Sequence, residues 1–369
     1  MERIRVCQMI TELRPAGAER CVYELAKRLD RSRFDVLVVA LRGGQVQQML
    51  ADAGVRVHVL GVRGKWDLVR FGTLVDVLRR ERINIVHTHL FHADLAGRPA
   101  ARLAAVPRLV HTVHVADPRL RPWRFAYARV MAGYCDRIVC VSRAVLEHHR
   151  RRSGLPAERY TVIHNGIAVE EYFRDDQARG RLRAQWGVAE DRVLVAYVGR
   201  LDRQKGLDTL VSAMAHLAAR GHPMELVIAG EGPQRRLVEN FVAHGEGGAR
   251  ARFLGFTSDV RGVLSAADVL VMPSRWEGFG LVAAEAMAAG LPIIATRVPA
   301  LMEVLEDGRT AILTDREDSV GLSEALERLA ADAQLRKQLG QAAHEDVVAR
   351  FRIEDTIAAH EKLYSEIAG

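Results

Sequence analysis

Cysteine is scarce in this chain of 369 residues. The four present, Cys7, Cys21, Cys135 and Cys140, show no C-x-x-C spacing, which removes the usual patterns for a structural zinc site or a redox pair and leaves small, reduced core residues as the expectation. Neither H-E-x-x-H nor D-x-D occurs, so no metal site is expected either. Long apolar runs are missing as well: none approaches the roughly 18 residues that suggest a spanning helix. Met1 to Arg5 lead straight into a strand-like segment instead of a signal-peptide core, and a cytoplasmic protein is the expectation. Lysine is rare, five of 53 basic residues, the other 48 being arginine. What is present is ordinary for a soluble globular protein, 49% hydrophobic and 27% charged residues, which excludes collagen-like and wholly disordered chains.

Charge is distributed unevenly. Residues 1–165 carry 29 basic and 15 acidic side chains, whereas the remaining 204 carry 24 and 31. The halves therefore differ by net +14 against −7, which points to two domains with different partners. The first is expected to meet something anionic, such as a membrane surface, a phosphorylated lipid or nucleic acid, with a merely solvated basic surface as the alternative.

Short β-branched runs alternate with longer amphipathic segments, the pattern of βα units building parallel sheets covered on both faces. Strands are expected at 4–10, 34–41, 55–60, 83–89, 108–114, 136–142 and 160–164, then again at 192–199, 224–230, 251–255, 268–273, 291–296 and 310–313. The chain thus reads as an α/β protein of two successive doubly wound domains, with His164-Asn165-Gly166-Ile167 and the polar stretch Glu170–Gly180 as turn and linker. Residues 335–367 read as helix, expected to pack on the second domain. Ligands of such folds bind at the carboxyl ends of strands.

The sharpest motif follows the expected strand 268–273. Gly278 and Gly280 let a ligand approach the backbone. A helix begins near Leu281 and stops at Gly290 with Pro292 beyond. Its N-terminus, at Phe279 to Leu281, favours a phosphate or diphosphate. Glu277 and Glu285 flank that anion site, where carboxylates suit hydroxyl groups, as on a ribose or sugar. Taken singly, Glu277 reads equally as a helix-entry charge and Glu285 as a solvated residue, but Glu285 lies among Ala and Met, and a buried carboxylate needs a partner. Arg200 and Lys205, in a loop bounded by Gly199 and Gly206, offer two cations for a diphosphate. Gly17 occupies the first strand–helix loop. His87, His89, His92, His111 and His114 cluster without metal-ligand spacing, His111 and His114 being expected on one strand face. Arg119-Leu120-Arg121-Pro122-Trp123-Arg124-Phe125-Ala126-Tyr127-Ala128-Arg129 interleaves cations with aromatics. That segment suits a lipid interface, single-stranded nucleic acid, or a plain helix whose Arg stems cover the core.

Taken together these motifs resemble the retaining glycosyltransferases of family 4, marked by Glu, seven residues, then Glu in a Gly-Phe-Gly-Leu context, here Glu277 and Glu285. The resemblance extends through Pro15-Ala16-Gly17-Ala18-Glu19-Arg20, His111-Thr112-Val113-His114, Val139 to Ser142, Ile163 to Gly166, and Val198 to Gly206. It implies a GT-B fold, two Rossmann-like domains with an interdomain cleft, and no required metal or cofactor besides the nucleotide-sugar substrate. The domains are then an acceptor-binding domain over 1–167, joined by a helix over about 347–369 that crosses back, and a nucleotide-sugar domain over 168–346. Within the second, Arg200, Lys205, Gly278, Phe279, Gly280 and Leu281 would hold the diphosphate, Glu285 the ribose and Glu277 the sugar. Gly230, Glu231, Phe256 and Thr257 would lie at the nucleoside. His114 would orient the sugar and Gly17 contact donor phosphate or acceptor, although Ala16 stands where the family commonly has a first Gly. His89, His92, Arg121 and Arg124 fall to the acceptor side. The implied donor is a UDP-sugar, with GDP-sugar second. The acceptor would be a glycan or lipid-linked hydroxyl reached from the inner face of a membrane, with no nucleic acid partner. A sugar-nucleotide epimerase and a silent sugar-nucleotide-binding partner of a membrane assembly are the rival readings. A dinucleotide-binding dehydrogenase is disfavoured because the first loop lacks G-x-G-x-x-G.

Overall fold

In the computed structural model, residues 3–64, 67–222, 224–245 and 250–369 are described. Every run expected to be extended becomes a strand, with ends displaced by at most two residues. The first sheet contains β1 (Ile4–Glu12), β2 (Phe34–Arg42), β3 (Arg56–Val59), β4 (Ile85–His89), β5 (Arg108–Val113), β6 (Arg137–Cys140) and β7 (Tyr160–Val162). The second contains β8 (Val193–Val198), β9 (Met224–Ala229), β10 (Arg250–Gly255), β11 (Val269–Met272), β12 (Ile293–Thr296) and β13 (Ala311–Thr314). Their orders are β3-β2-β1-β4-β5-β6-β7 and β10-β9-β8-β11-β12-β13, and the pairs are parallel.

The chain divides into Met1–Asn165 with Ile353–Gly369, and Gly166–Arg352. Each unit has the doubly wound pattern, in which the strand order reverses once, between β1 and β4 in the first and between β8 and β11 in the second. Beyond the carboxyl ends of strands at such a reversal, the diverging loops leave room for a ligand. Every residue of β4 and β9 is buried, as befits strands covered on both faces. In the second unit the helix Leu207–Ala219 sets Leu207, Leu210 and Met214 against Val195, Ile228 and Val271. Acidic and hydroxyl caps fix helix starts: Ser142 Oγ accepts from the Val145 amide, and Asp259 and Asp318 accept from Gly262 and Gly321.

Three expectations are corrected. Glu170–Gly180 is no linker: Val169–Tyr172 is a 3-10 turn with Tyr172 buried, and Asp176–Trp186 is a helix. Its polar residues are engaged, since Asp175 caps the helix and Arg179 and Arg183 both reach Asp268. The long C-terminal helix breaks at Phe351–Arg352 into Ala333–Arg350 and Ile353–Ala368. The last piece packs on the first unit, not the second, through Tyr364, whose hydroxyl accepts from Gln8. That piece is acidic, so the first unit carries 30 basic and 19 acidic residues, net +11 instead of +14.

Candidate active site

The strand-end loops of the second unit are held together by backbone contacts that only glycine permits. A Cβ on Gly230 (φ +146°) would stand 1.8 Å from the Gly199 carbonyl oxygen, and one on Gly206 (φ +64°) 2.0 Å from that of Pro273. The Leu201 amide donates to the Glu231 carbonyl and the Gly230 amide to that of Gly255. These contacts bring the loops after β8, β9, β10 and β11 to one end of the sheet. Gln204 joins two of them, donating through its side chain to the Trp276 carbonyl while its own carbonyl accepts from the Arg275 amide. Arg275 in turn forks onto Asp208 and reaches Glu317.

At the reversal point Glu277 is 6% exposed, and its Oε1 accepts from Lys205 Nζ at 2.6 Å and Ser274 Oγ at 2.7 Å. A carboxylate buried to this degree requires such partners. The two cations of the β8 loop therefore differ. Lys205 is turned inward onto Glu277, whereas Arg200 has a side chain 57% exposed, donates to Gln204 Oε1 at 3.1 Å and lies 3.9 Å from Asp202. The buried Tyr197 hydroxyl donates to the Arg200 carbonyl. Burial, with Glu277 close by, raises its pKa well above the phenol range.

The helix Leu281–Ala288 starts at Gly280, whose φ of +92° favours glycine and where a Cβ would press on Leu301. The Ala283 and Ala284 amides turn back onto the Gly280 carbonyl, so the amides of Leu281 and Val282 lie at the positive helix end, suited to an anion. Glu285 sits on the second turn, 3% exposed, and accepts from the Tyr172 hydroxyl at 3.2 Å. Phe279 is buried edge-on to Phe351, so its side chain serves the packing. Glu231 pairs with Arg235, and Phe256 is 47% exposed beside the less exposed Thr257.

In the first unit His114 follows β5, partly exposed, and its Nε2 lies 3.0 Å from His89 Nδ1. His89 is 2% exposed, so it stands behind His114 and not on a surface that an acceptor meets, contrary to expectation. His111 does not share a face with His114. Three positions separate them, an odd step along an extended chain, and His111 turns to Thr88 and Asp94 while His114 turns to His89. Burial lowers the pKa of His87 and His89 well below the usual histidine value, that of His111 to about 4 and that of His114 to about 3. Asp94 and Arg98 form a fully buried ion pair at 2.7 Å.

Gly17 begins the helix Gly17–Arg28 and is exposed. His92 is exposed, edge-on to Phe91. The Arg and aromatic segment becomes the helix Pro122–Val130, burying Phe125 and Ala128. Arg124 stacks 4.5 Å over Phe91, and Arg129 Nε donates to the Ser153 carbonyl, so both serve the packing; Arg121 and Trp123 are exposed. Sequence reasoning gave no role to Ser274 and Gln204, although both lie inside its motifs, and it missed Tyr172, Gln8 and Tyr364, whose isolated positions carry no motif. Among the described residues no group of three or more His, Cys, Asp or Glu side chains is placed to hold a metal ion.

Two doubly wound parallel-sheet units define a GT-B type of protein, and comparisons with known proteins agree. The family described as Glycosyltransferase Family 4 matches residues 15–171, and Glycosyl transferases group 1 matches residues 178–346. The chain is 32% identical to the D-inositol 3-phosphate glycosyltransferase of Xylanimonas cellulosilytica, covering 95% of this chain and 91% of that one. It is 26% identical to the UDP-Gal:alpha-D-GlcNAc-diphosphoundecaprenol alpha-1,3-galactosyltransferase of Escherichia coli, over 86% and 85% of the two chains. Anabaena HepE, crystallised with UDP-glucose, shares the fold at a TM-score of 0.89 and 24% identity, over 99% and 100% of the chains. This chain belongs to the family 4 glycosyltransferases and is a GT-B glycosyltransferase.

Proposed function

We propose that this chain transfers a sugar from a UDP-sugar, with a GDP-sugar second, to a hydroxyl of a glycan or lipid-linked acceptor, with retention and without a required metal. One arrangement carries the reading: the knot of Lys205, Ser274 and Glu277 at the sheet reversal, beside a helix start. Lys205, Arg200 and the amides at Leu281 and Val282 take the diphosphate, Glu285 the ribose, Glu277 a hydroxyl of the sugar, and the glycine-bounded loops near Gly230 and Phe256 the nucleoside. On the first unit, which serves the acceptor, His114 takes the role toward the transferred sugar that the family resemblance gives it. In the reaction the bond from the sugar's anomeric carbon to the diphosphate oxygen breaks. The acceptor oxygen bonds to that carbon from the same face, and its proton passes to the leaving diphosphate. Negative charge grows on that diphosphate, where fixed cations and helix amides stabilise it most. HepE crystallised with UDP-glucose and a relative named for a UDP-Gal donor and an undecaprenol-linked acceptor support this donor and acceptor.

No helix among the described residues is long and apolar enough to cross a membrane. Reaching a lipid-linked acceptor then falls to peripheral docking on the inner face, for which the net +11 of the first unit and the exposed Trp123 (49%) and Val130 (78%) are suited. The test is a panel of UDP- and GDP-sugars, followed by release of nucleotide with lipid-linked and soluble acceptors. Release of UDP that depends on acceptor, with the anomeric configuration kept in the product, is expected. Epimerised donor without release, or binding without turnover over the whole panel, would replace the proposal with one of its rivals.

A further inference from the structure

Six polar side chains of the first unit join in one unbranched chain. His114 Nε2 meets His89 Nδ1 at 3.0 Å, and His89 Nε2 meets Gln8 Oε1 at 2.8 Å. Gln8 Nε2 meets the Tyr364 hydroxyl at 2.8 Å, that hydroxyl meets His87 Nδ1 at 2.5 Å, and His87 Nε2 meets Thr112 Oγ1 at 2.6 Å. Apart from His114 every member is buried. A carboxamide oxygen only accepts, so His89 carries its proton on Nε2 and, being neutral, accepts at Nδ1. His114 then carries its proton on Nε2, and its Nδ1 is a lone pair. On the other side the Gln8 amide donates to Tyr364, whose one proton goes to His87, whose Nε2 donates to Thr112. All five bonds run in one direction, and turning the Gln8 amide by half a turn would reverse every one.

We propose that Gln8, His89 and Tyr364 form a relay that ties the tautomer of His114 to the direction of the whole chain, and that in the direction observed Nδ1 is offered as an acceptor to a hydroxyl of the transferred sugar. Tyr364, on the last helix and 250 positions from His114, is thereby a positioning residue. The sugar contact rests on the function proposed above; the tautomer does not. Removing the Tyr364 hydroxyl cuts the chain, so that a turn of the Gln8 amide reverses only the two bonds through His89 and His114 instead of all five. His114 should populate both tautomers.

The test uses the full ligand-free chain, labelled with 15N histidine, at pH 8. Wild-type protein is expected to show His114 with a protonated Nε2 and a bare Nδ1. In Tyr364→Phe the two nitrogen shifts should converge. Turnover of the UDP-sugar should fall about tenfold with UDP affinity unchanged, because UDP has no sugar to meet His114. Leu363→Ala, which leaves a cavity under the same helix but keeps the chain, should leave the His114 shifts as in wild type. Gln8→Met should reproduce the convergence if Tyr364→Phe fails to fold. A protonated Nδ1 in wild-type protein, or unmoved shifts in both variants, would overturn the relay. Converged shifts with unchanged turnover would overturn its role in positioning the sugar. Wild-type protein that turns over no nucleotide sugar would count against the proposed function, leaving the tautomer to the spectra.

Discussion

Acid should unfold the first unit well before the carboxylates of an ordinary protein titrate. His87, His89, His111, His149 and His360 are each less than 9% exposed, and burial lowers the pKa of all five, to about 4 for His111 and His360 and about 3 for His149. A histidine with a depressed folded-state pKa contributes stability that is fully present above its unfolded value near 6.5 and is lost as pH falls toward the folded value. At pH 5.5 each such ring costs about 1.4 kcal/mol relative to pH 8. Five independent rings then sum to roughly 7 kcal/mol, comparable to the 5–15 kcal/mol that holds a typical domain. Hydrogen exchange read by mass spectrometry between pH 8 and 5.5, corrected for intrinsic rates, separates the units. Peptides covering β4, β5 and the helix Ile353–Ala368 should lose protection steeply, while those covering β8 and β9, which contain no histidine, should not. Opening free energies for the first unit that stay flat to pH 5.5 would refute the reasoning.

Glu285→Gln should weaken UDP binding about 10- to 100-fold, as loss of a charged hydrogen bond worth roughly 1.5–3 kcal/mol; titration calorimetry checks it. The conservative change matters because alanine would also take the carboxylate away from the buried Tyr172 hydroxyl. Lys205→Ala should lower both turnover and melting temperature, since it strands the buried Glu277, whereas the exposed Arg200→Ala should lower turnover alone. Added EDTA should leave the initial rate unchanged if the site needs no metal. Arg121→Gln with Trp123→Ala should reduce sedimentation with anionic vesicles at low salt without altering UDP affinity.

The strands were readable because parallel strands covered on both faces are short apolar runs bounded by turns. The glycines and charges at the strand ends stood out as motifs, and the structure gives them packing duties: Gly230 and Gly206 admit close backbone contacts, and Lys205 pairs with Glu277. Glu170–Gly180 misled because polar residues can be consumed internally, as Arg179 and Arg183 are by Asp268. Arg124 and Arg129 lean on Phe91 and Ser153, which is the plain-helix alternative that the sequence left open for that segment. The split roles of Arg200 and Lys205 depend on which one points inward, which spacing does not encode. Gln8 and Tyr364 lie 356 positions apart, and nothing local in either segment announces the other.

That separation has a consequence for the order in which the chain folds during synthesis. The second unit is a continuous stretch, Gly166–Arg352, and all its sequence has been made before residue 353. The first unit is assembled from two stretches that flank the second, and its buried Tyr364 is synthesised after the whole of that unit. Until Tyr364 has been made, β1 and β4 have no partner for the Gln8 amide or for His87 Nδ1, and polar groups left unpaired in a core oppose its closure. Nascent chains are therefore expected to carry a finished second unit while the first, though translated earlier, waits for its last helix.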